Sequence, residues 1–274
     1  MINRYTWRTL TLEAALAIAA LITMIPIIGL VNVSFKDQRN NSEALVIAGN
    51  YTLENYATAW REGFLGAAIA NTVFITTVSV AVIVLIGAFT AYPIARIGQR
   101  WSRWVFYLFL LGLVIPAQLG LLPLYRAVSG LGLVGTPWSV ILLAIGGGMP
   151  FTVFIFTTFL RESAREYEEA ALIDGCGPVL TFVHIVFPLL RPAIGTVAIL
   201  NALAIWNDFF VPLLYLSGSG QETVQVRIHS FVGQYTANYP VIFAALTLTS
   251  IPILLAYLFL QKNIIQGFAG GVKG

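Results

Sequence analysis

The sequence predicts an all-α membrane protein with six transmembrane helices, and three observations carry that prediction. Only 10% of the 274 residues are charged while 58% are hydrophobic, with a mean hydropathy of +0.84; a soluble domain is typically about half apolar and about a quarter charged. Six stretches supply the about 20 apolar residues that a bilayer core requires: 14–35, 71–95, 104–125, 138–160, 192–216 and 240–260. The Lys and Arg residues alternate in density from one intervening segment to the next. A single transmembrane domain over residues 1–274 accommodates all of this.

Taken in order, the first run begins after Arg4 and Arg8 and exceeds the 7–15 residues of a signal-peptide core, so an uncleaved span is expected. Residues 36–70 form an external loop with Asp37, Glu43, Glu54 and Glu62, long enough for a small ordered cap. The second and third spans are joined by a short basic turn, 96–103. The fourth contains Gly146-Gly147-Gly148-Met149-Pro150, which either breaks the helix along a pathway or permits a close helix crossing. Residues 161–191 separate the fourth and fifth spans, and 217–239 form a second external loop before the sixth.

Orientation follows from the basic residues. With the N-terminus inside, cytoplasmic segments hold Arg4, Arg8, Arg96, Arg100, Arg103, Arg161, Arg165, Arg191, Lys262 and Lys273, and external loops hold only Lys36, Arg39, Arg61, Arg126 and Arg227. This two-to-one bias puts both termini in the cytoplasm. Trp7, Trp101, Trp104 and Trp138 lie near span ends, where interfacial aromatics belong.

Several chemistries are excluded. A lone Cys176 allows no internal disulfide, and His184 and His229, 45 residues apart, make no metal or catalytic framework. The pI near 9.1 reflects thinly spread basic residues, not a nucleic-acid patch. Glu13 reads as an interfacial acid and His184 as a surface residue.

The cytoplasmic loop 161–191 carries the most information. Ser163 and Glu166 have the spacing of a capping box. A short helix with acids in its first turn follows, and Gly175 stops it where a positive φ is needed. Gly177-Pro178 then starts a second helix bearing Phe182, Ile185 and Val186, which ends near Pro188. Ala170, Ala171 and Gly175 offer a small-residue side to a partner; the alternative is a surface helix that merely joins two spans.

Glu169-Ala170-Ala171, Asp174-Gly175, Ile185 and Pro188 together resemble the E-A-A-x-x-D-G…I-x-x-P motif of bacterial ABC importer permeases, with Cys176 where Ala is common. The ending Gly270-Gly271-Val272-Lys273-Gly274 resembles the Gly-Ala-Val-Lys-Gly terminus of the maltose-type subunits of carbohydrate importers. Asn71-Thr72, Pro116, Pro123 and Trp206-Asn207-Asp208 also match, so the resemblance covers nearly the whole chain. It implies the type I ABC importer permease fold, in the bacterial plasma (inner) membrane. It implies a cytoplasmic coupling helix that docks on an ATPase subunit through Glu166, Glu169, Ala170, Ala171, Asp174, Gly175, Ile185 and Pro188. The implied partners are an ATPase dimer, a second homologous permease, an extracellular or periplasmic sugar-binding protein, and membrane lipid. The chain has no Gly-x-x-x-x-Gly-Lys-Ser/Thr loop. The resemblance accordingly leaves ATP and magnesium to the partner, with no cofactor or catalytic residue in this chain.

Asp208 is the one acid deep in a late span, beside Trp206 and Asn207. With Gly148 and Pro150 these residues are candidates for the substrate pathway, Trp, Asn and Asp being sugar-recognition chemistry. The other reading of the cluster is polar glue between helices or a contact to a partner permease. An ion-coupled secondary transporter is the alternative for the whole chain; it requires several buried acids and inverted repeats. Here Asp208 stands alone and no repeat is visible.

Overall fold

A computed structural model describes residues 7–37, 50–234 and 238–270. Arg4, Arg39, Glu43 and the Gly271-Val272-Lys273-Gly274 ending lie outside them. In chain order the helices are α1 (Trp7–Ser34), α2 (Glu54–Glu62), α3 (Leu65–Arg96), α4 (Arg100–Val114), α5 (Leu121–Gly130), α6 (Pro137–Glu162), α7 (Glu166–Ile173), α8 (Pro178–Thr181), α9 (Phe187–Leu189), α10 (Arg191–Asn207), α11 (Phe210–Leu216), α12 (Val224–Gln234) and α13 (Tyr239–Gly270). A 3₁₀ turn, Ala117–Gly120, precedes α5, and a π turn, Phe182–Val186, joins α8 to α9.

Among the described residues, four helices are long and apolar enough to cross a bilayer: α1, α3, α6 and the Tyr239–Leu258 part of α13. By length and composition, two bent pairs raise the number to as many as six when each is counted as one span: α4 with the helix after Pro116, bent by 90°, and α8–α9 with α10, bent by 71°. The third run is therefore not one straight helix. Ile115, which precedes Pro116, is extended at φ −72°, ψ 121°, because the proline ring disfavours the helical region in the residue before it. The exposed Trp7, Trp101, Trp104 and Trp138 lie within the first two turns of α1, α4 and α6.

The chain divides into two compact units. The first comprises residues 1–66 and 227–251. Its core joins Ala59 and Leu65 to Val241, Ile242, Ala244 and Ala245. The end of α1 is fastened to α2 by polar contacts. Asn55 Nδ2 donates to the carbonyls of Ser34 (2.9 Å) and Lys36 (2.7 Å), and Ser34 Oγ lies 2.6 Å from Tyr56 Oη. Along most of its length α1 is exposed, as a helix solvated by lipid can be.

The second unit comprises residues 67–226 and 252–274. Its main core gathers Val84, Ala88, Ala91 and Ala95 of α3, Phe156 and Leu160 of α6, Phe182 and Val186 of the π turn, and Ala193 and Val197 of α10. The glycine run does not break α6, which is continuous from Pro137 to Glu162. A Cβ on Gly148 would stand 2.6 Å from Asn201 Oδ1 and 2.7 Å from Ile83 Cδ1, so close packing accounts for that glycine. Asn201 has little room to yield, because its Nδ2 donates to Val197 O (2.9 Å) and Thr152 Oγ1 (3.3 Å). Gly148→Val is expected to cost about 1–3 kcal/mol by overpacking, read as a lowered unfolding midpoint of the purified protein. An unchanged midpoint would show that the crossing is loose.

Candidate functional site

Two regions of the second unit carry the candidate residues. The first is the loop between α6 and α10. Its opening differs from the capping box expected from sequence. Ser163 Oγ donates back to the carbonyls of Phe159 and Leu160, both at 3.0 Å, so it closes the end of α6. The residue before α7 is Arg165, and no side chain caps that helix. Because α6 runs to Glu162, Ser163 is its C-cap, and α7 starts only at Glu166, behind Arg165, out of register with a cap at Ser163.

The end of α7 is a Schellman motif. Gly175 N–H donates to Leu172 O (3.1 Å) and Cys176 N–H to Ala171 O (2.9 Å), with Gly175 at φ +85°. Pro178 opens α8 at its first position. Pro188 then dictates the π turn: it has no N–H for His184 O, and its ring would crowd that carbonyl in a regular helix. Phe187 N–H reaches back five residues to Phe182 O, and the α pattern resumes with Leu190 N–H on Val186 O at 3.0 Å.

This framework sorts the candidate residues into two sides. Glu166, Glu169, Ala170, Asp174 and Gly175 are exposed, and Ile185 and Pro188 are half-buried. Ala171 is a correction to the expected docking side: it is buried under α7, not presented on it. The outward surface is instead apolar and large. Tyr167, Leu172, Val179 and Leu180 are exposed, and Ile173 is 86% exposed. An apolar patch rimmed by charge is the composition of a protein interface. His184 is exposed, as expected from sequence.

Beneath α7 lies a pair that the sequence pattern alone does not reveal. Arg96, the last residue of α3, donates from Nε (2.9 Å) and Nη2 (2.6 Å) to Glu168 Oε1. Its Nη1 donates to Leu160 O (2.6 Å), and Ser163 O lies 3.5 Å away. The two side chains are only 10% and 8% exposed. One signal was available: no Asp or Glu occurs between Glu62 and Glu162. Any acidic partner for Arg96 had to come from a distant segment.

The second region surrounds Asp208, where the fifth span breaks. Asp208 is extended (φ −70°, ψ 119°) between α10 and α11. Its Oδ1 accepts from Phe210 N–H (3.0 Å) and Val211 N–H (3.3 Å). It therefore caps α11 while lining both neighbouring cavities, a role that the sequence did not suggest. Asn207 is exposed and bonds its own helix at Leu203 O (2.9 Å). Trp206 is buried and lines neither of the two cavities beside Asp208; its carbonyl accepts from Gln225 Nε2 at 3.4 Å.

Of those two cavities, one, of about 660 Å³, is lined by Gly147, Gly148, Phe151, Asn201 and Val211 among others; the second, about 590 Å³, by Gln118, Gly146, Gly147, Leu214 and Tyr215 among others. Pro150 borders neither: a Cβ on Gly112 of α4 would meet its ring at 2.9 Å, which makes it a packing residue. The glycines thus form a smooth, side-chain-free wall, with Asp208, Asn201, Gln118 and Tyr215 as the lining residues with polar side chains. Such a wall suits passage of a solute better than its tight retention.

Residues 83–270 match the family of binding-protein-dependent transport system inner membrane components. The melibiose/raffinose/stachyose import permease protein MelC of Bacillus subtilis (strain 168) is 34% identical over 97% of this chain and 97% of its own length. The diacetylchitobiose uptake system permease protein NgcG of Streptomyces coelicolor is 30% identical over 94% of this chain and 87% of its own. Among solved structures, a chain of a bacterial ABC transporter involved in the import of the acidic polysaccharide alginate superposes with a TM-score of 0.80 at 20% identity, covering 95% of this chain and 99% of that one.

Proposed function

Since the chain belongs to the family of binding-protein-dependent transport system inner membrane components, we propose that it is a permease subunit of an ATP-driven carbohydrate importer. It is a non-catalytic, multi-pass component of the membrane. In this reading it forms half of a translocation pathway with a second homologous permease. ATP and magnesium are held by a pair of ATPase subunits beneath it, and a binding protein delivers the sugar from outside. The carbohydrate assignment is supported by relatives whose names specify melibiose, raffinose, stachyose and diacetylchitobiose.

The observation that carries the reading is the exposed face of α7 and α8. Ile173, Leu172 and Val179 stand outward between Glu166, Glu169 and Asp174, on a loop fixed from below by a buried core and a buried ion pair. Leaving that much apolar surface in water is unfavourable, and docking of the ATPase covers it. Groove residues Asp208, Asn201, Gly147 and Gly148 belong to the pathway.

The test is purification of the chain from its native membrane. An ATPase and a second permease are expected to accompany it in equal amounts, with sugar uptake that requires ATP. Proton- or sodium-driven uptake by the chain alone would overturn the reading in favour of an ion-coupled transporter. Topology provides a separate check. Reporters placed after Lys273 and near Gln99 are expected in the cytoplasm, and one near Asn50 outside. An external C-terminus would break the six-span arrangement.

A further inference from the structure

The loop docks on the rest of the chain along one stripe of α3. Phe89, Tyr92 and Arg96 are spaced i, i+3 and i+7, the spacing that puts side chains on one helix face. All three meet the loop: Phe89 stacks on Phe182 with ring centroids 4.3 Å apart, Tyr92 lies 5.5 Å from the same ring, and Arg96 holds Glu168. The covalent chain already joins α7 to α6 and, through α8 and α9, to α10. The second span has no such covalent link to the loop.

Stability alone does not explain the polar end of this stripe. A buried ion pair replaced by well-packed apolar residues often leaves a protein as stable or more so. What the pair adds is direction. The guanidinium reaches three segments at once: α7 at Glu168, the end of α6 at Leu160 O, and its own helix α3. Of the acids in the first turn of α7, Glu168 points inward while Glu166 and Glu169 point outward. One turn of helix thus presents acid to a partner and acid to Arg96.

We propose that Arg96 is a positioning residue for coupling, the joint through which movement of α7 is carried into the second span. The inference rests on the reading that α7 docks on the ATPase. When the ATPase displaces α7, the Arg96–Glu168 bond obliges α3 to follow. Because α3 supplies Ile83, which packs on the Gly148 wall, that movement reaches the cavity beside Asp208. Without the joint, α7 would pull on α6 and α10 alone.

The test uses the complete complex, reconstituted with its ATPase, second permease and binding protein. Three quantities are measured: ATPase retained on the permease, ATP hydrolysis with and without sugar-loaded binding protein, and sugar imported per ATP hydrolysed. Arg96→Gln is expected to retain the ATPase and basal hydrolysis while import per ATP falls about tenfold, within the range that residues on coupling elements command. Arg96→Lys, which keeps the charge and can reach Glu168 or Leu160 O, should recover part of the loss. Glu168→Gln, which keeps an acceptor oxygen, is the milder second variant should Arg96→Gln fold poorly, and it should also lower import per ATP. Unchanged import per ATP in Arg96→Gln or Glu168→Gln overturns the proposal. So does a loss that tracks ATPase retention or complex yield across all three variants, because that marks a purely structural pair. Glu169→Lys separates the two levels of inference. If it strips the ATPase while Arg96→Gln behaves as wild type, the docking reading stands and the joint falls; if it strips nothing, the docking reading itself fails.

Discussion

Glu169→Lys and Gly175→Val should each detach the ATPase from an otherwise intact permease. Glu169 is exposed on α7 beside the apolar patch, so reversing its charge leaves the fold within about 0.5 kcal/mol of wild type. Placing the wrong charge against a docked partner costs about 2 kcal/mol or more, and ATPase retention should fall about thirtyfold. Gly175 acts through the backbone. A Cβ there would meet nothing within 4 Å, but φ is +85°, which a β-branched side chain tolerates poorly. Valine would impose about 1–2 kcal/mol of strain. The Schellman turn would then relax and shift α7 relative to α8. The measurement is ATPase co-purified per permease, with stimulation of hydrolysis by sugar-loaded binding protein. If both variants keep full attachment and stimulation, α7 is not the coupling element.

Asp208→Ala should depress uptake about tenfold or more while the ATPase stays attached. The carboxylate satisfies the first two free N–H groups of α11. Losing a cap costs about 1 kcal/mol in water, and an unsatisfied N–H at membrane depth costs several. The start of α11 would loosen, and with it Val211, Leu214 and Tyr215, which line the cavities. Asp208→Asn keeps an acceptor oxygen and isolates the charge. Uptake near wild type in Asp208→Asn assigns Asp208 to capping. Uptake as low as in Asp208→Ala assigns the charge itself to the pathway. Normal uptake in Asp208→Ala would remove the residue from both roles.

Much of this architecture is legible in the sequence because it depends on local chemistry. Hydropathy marks the membrane helices, Gly175 marks a stop with positive φ, and Pro178 marks a helix start. What escapes depends on the competing claims of distant segments. Ser163 fits a capping box until α6 is known to end one residue before it and α7 to start only at Glu166. Glu166, Glu168 and Glu169 are indistinguishable as a run of acids; only Arg96, 72 residues before Glu168, decides which turns inward. The glycine run of α6 permits either a break or a close crossing, and Asn201 and Ile83 settle it at Gly148. Asp208 reads as an acid in search of a partner until Pro212, which has no N–H for the Asp208 carbonyl, is seen to mark the interruption of the span. Its partners are the backbone groups that the interruption itself sets free.

The π turn at Phe182–Val186 acts as a phase shifter. One residue of α-helix subtends about 100° of rotation. A turn that spends one extra residue therefore advances everything on its N-terminal side by that angle relative to its C-terminal side. Relative to the α turn that follows Phe187, Phe182 is thereby rotated onto the Phe89 stripe of α3. The loop thus meets α3 with a ring that an unbroken α-helix would turn elsewhere. Pro188 locks the offset, because a ring without an N–H keeps the bond to His184 O from closing and the segment from slipping back into phase.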